Sequence, residues 1–85
     1  METKIAVVAI IVNDENAVES INSLLHEFRK YIIGRQGIPY AKKGVCIISV
    51  AMDAPQEIIN SLSGKLGMLK GVSSKVLTTK WTILP

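Results

Sequence analysis

The stretch from Gly44 to Asp53 constrains the fold of this chain more than any other. From Val45 to Met52 both alternating sets of side chains are apolar, interrupted only by Ser49. A one-faced α-helix would place polar residues at every third or fourth position, which this stretch lacks, so the pattern predicts a buried β-strand that ends near Pro55. A strand that is apolar on both sides belongs in a sheet with both faces covered. The chain's own helices can cover one face, and a second copy of the protein can cover the other.

Size and composition narrow the function classes. The 85 residues predict a single domain over residues 1–85. The ten Lys and Arg residues exceed the seven Asp and Glu residues by three, and they are scattered rather than clustered on a stripe. Nucleic-acid binders usually show such a stripe, so we expect no direct nucleic-acid binding.

The cysteine content and the first apolar run bear on location. The single cysteine, Cys46, excludes an internal disulfide, and we expect a buried, inert thiol in a reducing setting. The apolar run from Ile5 to Val12 is too short to span a bilayer and leads directly into polar residues. We therefore expect a cytoplasmic protein that does not associate with membranes.

The first half of the chain predicts a strand, a helix and a weaker strand. Ile5 to Val12 is the first strand, and Asn13-Asp14 supplies the cap of a helix that runs to about Phe28 or Arg29. Tyr31 to Ile38 is the weaker strand, in which two glycines indicate a bulge or a close backbone contact. The buried stripe of the helix is formed by Val18, Ile21, Leu24, Leu25 and Phe28.

The second half predicts a turn, the central strand, a helix and a last strand. Residues 39–44 form the turn, and the second helix begins near Pro55. We expect Gly67 to stop this helix in a left-handed conformation and Gly71 to mark the turn into the last strand, Val72 to Trp81. That strand carries lysines and hydroxyls, as edge strands do. The buried stripe of the second helix is Ile58, Ile59, Leu62 and Leu66.

The resulting order, βαββαβ, predicts an α+β ferredoxin-like sandwich, in which an antiparallel four-stranded sheet carries two helices on one face. The first and third strands are central in that fold, and here they are the two most apolar strands. The sheet face away from the helices would remain apolar. We therefore expect a homo-oligomer, either a homodimer or a homotetramer, formed through this apolar face or through pairing of edge strands.

Three stretches carry a resemblance to a known family: Ile32 to Tyr40 (IIGRQGIPY), Ala54-Pro55, and Leu62 to Gly67 (LSGKLG). With them, the chain resembles the ACT-like iron-only hydrogenase system regulators. The stretch from Lys65 to Thr79 is also similar to the C-terminal regulatory domain of the nickel-responsive repressor. The resemblance implies a small regulatory ACT-like domain that oligomerises, often with amino acids bound at the interface.

The sequence departs from these relatives in two places. Only His26 and Cys46 resemble the repressor's metal ligands, and the strand that would carry its histidines has none, so we expect neither a metal nor another cofactor. The ACT turn after the first strand usually contains a glycine, whereas residues 13–17 contain none.

The candidate ligand-binding residues lie around this turn and on the weaker strand. Arg35 would hold an anionic group of an amino acid or another small effector, backbone amides at the helix start would hold a second polar group, and Tyr40 would wall the pocket. Each of these residues also has an ordinary structural explanation. Residues 13–16 can serve as a helix cap and turn, Arg35 can be a solvent-facing residue of an edge strand, and Tyr40 can be a turn residue. The candidates are Asn13, Asp14, Asn16, Arg35, Gly37 and Tyr40.

Catalysis is not expected, because the single His and the single Cys fall on different elements and no paired carboxylates lie in an apolar run. Our first hypothesis is a non-catalytic, oligomeric regulatory domain that senses a small effector between subunits. The alternative is a protein–protein adaptor whose apolar face docks another regulatory protein and which binds no small molecule. A nucleic-acid accessory role is a weaker third option.

Overall fold

The computed structural model describes residues 2–79 and confirms the βαββαβ order. Short 3-10 turns follow the first helix (Arg29–Tyr31) and the second strand (Ala41–Lys43). Lys80 and Trp81, which were predicted to extend the last strand, lie outside the described residues. The main elements are β1 (Lys4–Val12), α1 (Glu15–Glu27), β2 (Ile32–Tyr40), β3 (Val45–Ala54), α2 (Gln56–Gly67) and β4 (Val72–Thr78).

The four strands form one antiparallel sheet in the order β2-β3-β1-β4. The two most apolar strands are central, as predicted, and β4 with its lysine and hydroxyls is an edge. Val8 marks the middle of the sheet, opposite Val50 of β3 on one side and Val76 of β4 on the other. A register shift between Ile32 and Gly34 confirms the predicted irregularity in β2.

The core lies between the sheet and the two helices and is aliphatic apart from Phe28. Alternate residues of β1 and β3 point into it, and the helix stripes cover them. Among residues 2–79 no polar or charged residue is buried, so this core holds no candidate chemistry. The helix residues that fill it are Ala17, Ile21, Leu25, Phe28, Ile59, Leu62 and Leu66, with Val18, Leu24 and Ile58 half-buried beside them.

The turn from β1 to α1 is fixed by a close approach of Gly71. The Asp14 side chain caps α1 by accepting a hydrogen bond from the backbone amide of Asn16 at 2.9 Å. The backbone amide of Asn13 donates to the Gly71 carbonyl at 2.9 Å. Gly71 has φ +78°, and a Cβ built there would lie 2.5 Å from Cβ of Asp14. Only glycine fits this position without a shift of the backbone.

Two sequence predictions of local structure were wrong. Gly67 does not stop α2 in a left-handed conformation, because it lies inside the helix and Met68 caps the end; the positive-φ residues in the described range are Gly44 and Gly71. The predicted turn at residues 39–44 is shorter than expected, because β2 continues to Tyr40. Pro39 is tolerated there because an edge strand leaves one side of its backbone unpaired.

Within residues 2–79, neither helix has the length and apolar character needed to cross a membrane.

Candidate ligand cavity and interaction face

The sheet face turned away from the helices, which we call the open face, is apolar and uncovered. Opposite residues of antiparallel strands share a face, so the register identifies its members. Val7 lies opposite Leu77 and Ala51, and Ile47 lies opposite Ile11 and Ile38. Six large side chains are exposed on it, from 41% for Ile47 to 74% for Leu77: Val7, Ile11, Ile38, Tyr40, Ile47 and Leu77.

A polar row crosses the middle of the open face. Lys75 lies opposite Ala9, which lies opposite Ser49, which in turn lies opposite Gln36. Asp53, opposite Ile5, places a second charge near one end. Ser73, opposite Ile11, is a further polar residue on this face. The row divides the apolar side chains into a small group at Val7 and Leu77 and a larger group around Ile11 and Ile47, and a grouped apolar surface of this kind is typical of an interaction site.

A cavity of about 230 Å³, which we call the end cavity, lies where β1 passes into α1 beside the turn between β2 and β3. Its walls are mainly apolar and include Val12, Val18, Pro39 and Val45. The ionisable or polar side chains that line it are Asp14, Glu15, Tyr40 and Cys46. It is smaller than the sites that hold drug-sized ligands, which usually begin at about 300 Å³.

The end cavity brings together two of the six predicted site residues, Asp14 and Tyr40. Asn16 does not line the end cavity; it lines the groove between the helices and, together with Asp14, a smaller groove, and its backbone amide donates to the Asp14 cap. Asn13 is exposed and its amide is bonded to Gly71. A Cβ placed on Gly37 would have no other atom within 4 Å, so no close contact requires a glycine at this position.

Arg35 lies on the helix-facing side of β2, opposite Val50, and reaches α1. Its Nη2 donates a hydrogen bond to Oδ1 of Asn22 at 2.9 Å. It is not among the residues that line the end cavity. Arg35 and Tyr40 therefore do not form one pocket within a single chain, and a joint site would require a second copy.

The sequence analysis did not predict that Glu15 and Cys46 line the end cavity. Cys46 was expected to be buried, but it is half-buried, because it lies opposite Val12 at the last pair of the β1–β3 ladder. As an acidic residue in the first turn of α1, Glu15 is accounted for locally by the favourable interaction of a carboxylate with the positive end of the helix. Its position beside residues 39–46 depends on tertiary packing, which no local signal reports.

The groove between α1 and α2 is a shallow space of about 500 Å³ on the outer surface of the helix layer. Lys65 of α2 crosses it, with Nζ 2.9 Å from Oε1 of Glu27 and 5.4 Å from the centre of the Phe28 ring. The only predicted site residue that lines it is Asn16. In the range from residue 2 to residue 79, no group of three or more His, Cys, Asp and Glu side chains is placed to hold a metal ion.

Comparison with known proteins gives a family and a fold. Residues 4–76 match the family model "TM1266-like: Iron-only hydrogenase system regulator, putative". The structure is similar to that of the uncharacterized protein TM1266 from Thermotoga maritima, with 34% identity over 93% of this chain and 100% of that one and a TM-score of 0.89.

A second solved structure shares the fold alone. Part of a formyltetrahydrofolate deformylase from Pseudomonas putida KT2440 is similar at 15% identity, with a TM-score of 0.58 over 87% of this chain and 28% of that chain. No curated protein matches the sequence.

Proposed function

Because the chain belongs to the TM1266-like family of iron-only hydrogenase system regulators, we propose that it is a non-catalytic regulatory domain that self-associates through its open face and responds to a small effector. The observation that carries this proposal is the open face itself, with six large exposed apolar side chains on one side of the sheet. Water-exposed apolar area of this extent favours association.

The size of the open face fits a weak dimer. Four strands about 4.8 Å apart and about nine residues long at about 3.3 Å each span roughly 19 by 30 Å, or about 600 Å² per copy. Two copies would bury about 1,200 Å², which is at the lower limit of specific interfaces. We therefore expect a dimer that dissociates at micromolar concentration, and a tetramer would require a further surface.

Tyr40 connects the open face to the effector site that we propose in the end cavity. Its side chain is one of the six exposed apolar groups of the open face, and it also lines the cavity. A ligand that fixes Tyr40 in one position would change the shape of the open face at that end. An effector that binds the dimer and the monomer with different affinity shifts the population between them, which is the regulatory output that we propose.

Sedimentation velocity of matched variants tests self-association. We expect the unmodified protein to show a concentration-dependent dimer and Ile47→Glu to be monomeric. A buried unpaired carboxylate in each copy should raise the dissociation constant by at least about 100-fold. The same change at Met68, which is 85% exposed in the turn after α2, is the control and should leave the dimer intact. A monomer at all concentrations in the unmodified protein would contradict self-association.

The polar row on the open face favours a second candidate, an adaptor that docks another protein there. Self-association would cover Lys75, Ser49 and Gln36 with the same surface of a second copy, whose described carboxylate, Asp53, lies near one end of the face and not in that row. A partner protein with an acidic group opposite Lys75 would complement the row better. Strictly monomeric behaviour together with a stoichiometric complex that Ile47→Glu abolishes would favour this adaptor role.

A further inference from the structure

We propose that the end cavity binds a small primary amine with a short apolar body. This inference rests on the proposed effector-sensing function and names the ligand class of the same site. The apolar body follows from the walls of the cavity, and the amine follows from the charges around it.

The walls and volume of the end cavity define the body of the ligand. Val12, Val18, Pro39 and Val45 present hydrocarbon, which gives no hydrogen bonds to a polar body. One water molecule occupies about 30 Å³ in the liquid, so a cavity of about 230 Å³ has room for roughly seven non-hydrogen atoms. A branched aliphatic chain of about five carbons with one polar head fits this space.

The charged side chains that line the end cavity are acidic. Asp14 and Glu15 contribute carboxylates, and no Lys or Arg lines it. The only salt bridge within residues 2–79 joins Lys65 to Glu27, so neither carboxylate is held in an ion pair there. Lys70 lines a small neighbouring groove with Asp14 but forms no salt bridge with it. Lys42 and Lys43 follow the lining residue Ala41, but both are exposed and neither lines the cavity.

The positive end of α1 repels a cation, whereas the two carboxylates attract it. The sizes of the charges show which effect is stronger. The helix N-terminus is equivalent to about half an elementary charge, and two carboxylates carry about two negative charges. Oδ1 of Asp14 already accepts the Asn16 amide, which an anionic ligand would have needed. An ammonium group also has three donors, and the Asp14, Glu15 and Tyr40 side chains all carry oxygen acceptors.

Cys46 provides a reporter for occupancy of the end cavity. It is the only cysteine in the sequence, and it lines the cavity and is half-buried. A ligand in the cavity should therefore slow alkylation of the thiol. This readout requires neither knowledge of the regulated process nor formation of a dimer, so it can be measured in Ile47→Glu as well as in the unmodified protein.

The test compares three compounds with similar bodies and different heads: isoamylamine, isoamyl alcohol and isovalerate. Alkylation of Cys46 by iodoacetamide is followed by mass spectrometry at neutral pH, with ammonium chloride as the control for ionic strength. We expect half-maximal protection by the amine at a concentration about three- to fivefold below that for the alcohol, as for a partly exposed ion pair. Isovalerate should protect least. Melting temperatures with the same compounds give an independent readout in case the free thiol reacts slowly.

Charge variants complete the test. In the double variant Asp14→Asn, Glu15→Gln, half-maximal protection by isoamylamine should require the same concentration as protection by isoamyl alcohol. Protection by the alcohol should not change, since Asn caps a helix as well as Asp and the fold is kept. Glu19→Gln, on α1 but lining the groove between the helices, should change nothing.

The outcomes separate this inference from the proposed function. If isovalerate protected Cys46 as well as isoamylamine, the ligand would not be an amine, but the end cavity would still be an effector site. No protection and no change in melting temperature with any compound would overturn both the ligand class and the effector site. Self-association is judged separately by sedimentation, so its failure would leave an amine-binding result unchanged.

Discussion

Gly71→Ala tests how the turn between β1 and α1 is held. The substitution should destabilise the folded state in two ways. Alanine is strained at the positive φ of +78°, and its Cβ would lie 2.5 Å from Cβ of Asp14. An alanine in the left-handed region costs about 1–2 kcal/mol, of which about 0.4–1 kcal/mol is offset by the lower entropy of the unfolded chain. Forcing an extra carbon into a packed site costs about 1–3 kcal/mol more. We expect the free energy of unfolding to fall by about 1–4.5 kcal/mol.

Gly44→Ala is the matched control, because Gly44 also has positive φ, at +66°, but has no atom within 4 Å of a built Cβ. It should show the conformational cost alone, about 1 kcal/mol. Urea denaturation measures both variants at one fixed protein concentration, since self-association would otherwise change apparent stability.

The refuting result is equal destabilisation of the two variants. That outcome would mean that the approach of Gly71 to Asp14 is not a fixed contact. A double-mutant cycle with Asp14→Gly, which removes the opposing Cβ, should restore most of the overlap cost.

Two further predictions concern the helices. Asp14→Ala should lower stability by about 0.5–2 kcal/mol in the same urea assay because it removes the cap of α1, whereas Asp14→Asn should leave stability nearly unchanged; equal losses would show that charge rather than capping matters there. Glu27→Gln should cost at most about 1 kcal/mol, since its ion pair with Lys65 is exposed. Lys65→Ala should cost more, because it also removes the ammonium group that lies over the Phe28 ring; thermal melts of the two variants would measure the difference.

Local periodicity was sufficient to predict the elements of the fold. β1 and β3 are apolar on both sides, which placed them in the middle of the sheet, and the spacing of Ile21, Leu25 and Phe28 identified the buried stripe of α1. Each of these signals comes from residues close together in the sequence. Their agreement along the chain is what selected the βαββαβ arrangement.

The errors arose where distant residues decide the structure. Gly67 and Gly71 both follow the apolar stripe of α2, and the sequence alone does not say which adopts the left-handed conformation. Gly71 does so because it meets the turn at Asn13 and Asp14, more than fifty residues earlier in the chain. Arg35 was predicted to hold an anionic group of an effector, with a solvent-facing edge arginine as the alternative, and both remain open. Its contact with Asn22 of α1 was not predicted, because it depends on how the helix lies across the sheet.

The position of β1 also affects how the chain folds as it is synthesised. β1 emerges before either of its neighbours, since it pairs with β3 at Val45–Ala54 and with β4 at Val72–Thr78. Until those segments leave the ribosome, an apolar strand with two free hydrogen-bonding edges remains without its native partners. Closure of such distant pairs is slow, and exposed strands of this kind aggregate readily. The nascent chain should therefore be most vulnerable between the synthesis of β1 and that of β4, and chaperone binding in that interval should be strongest at β1.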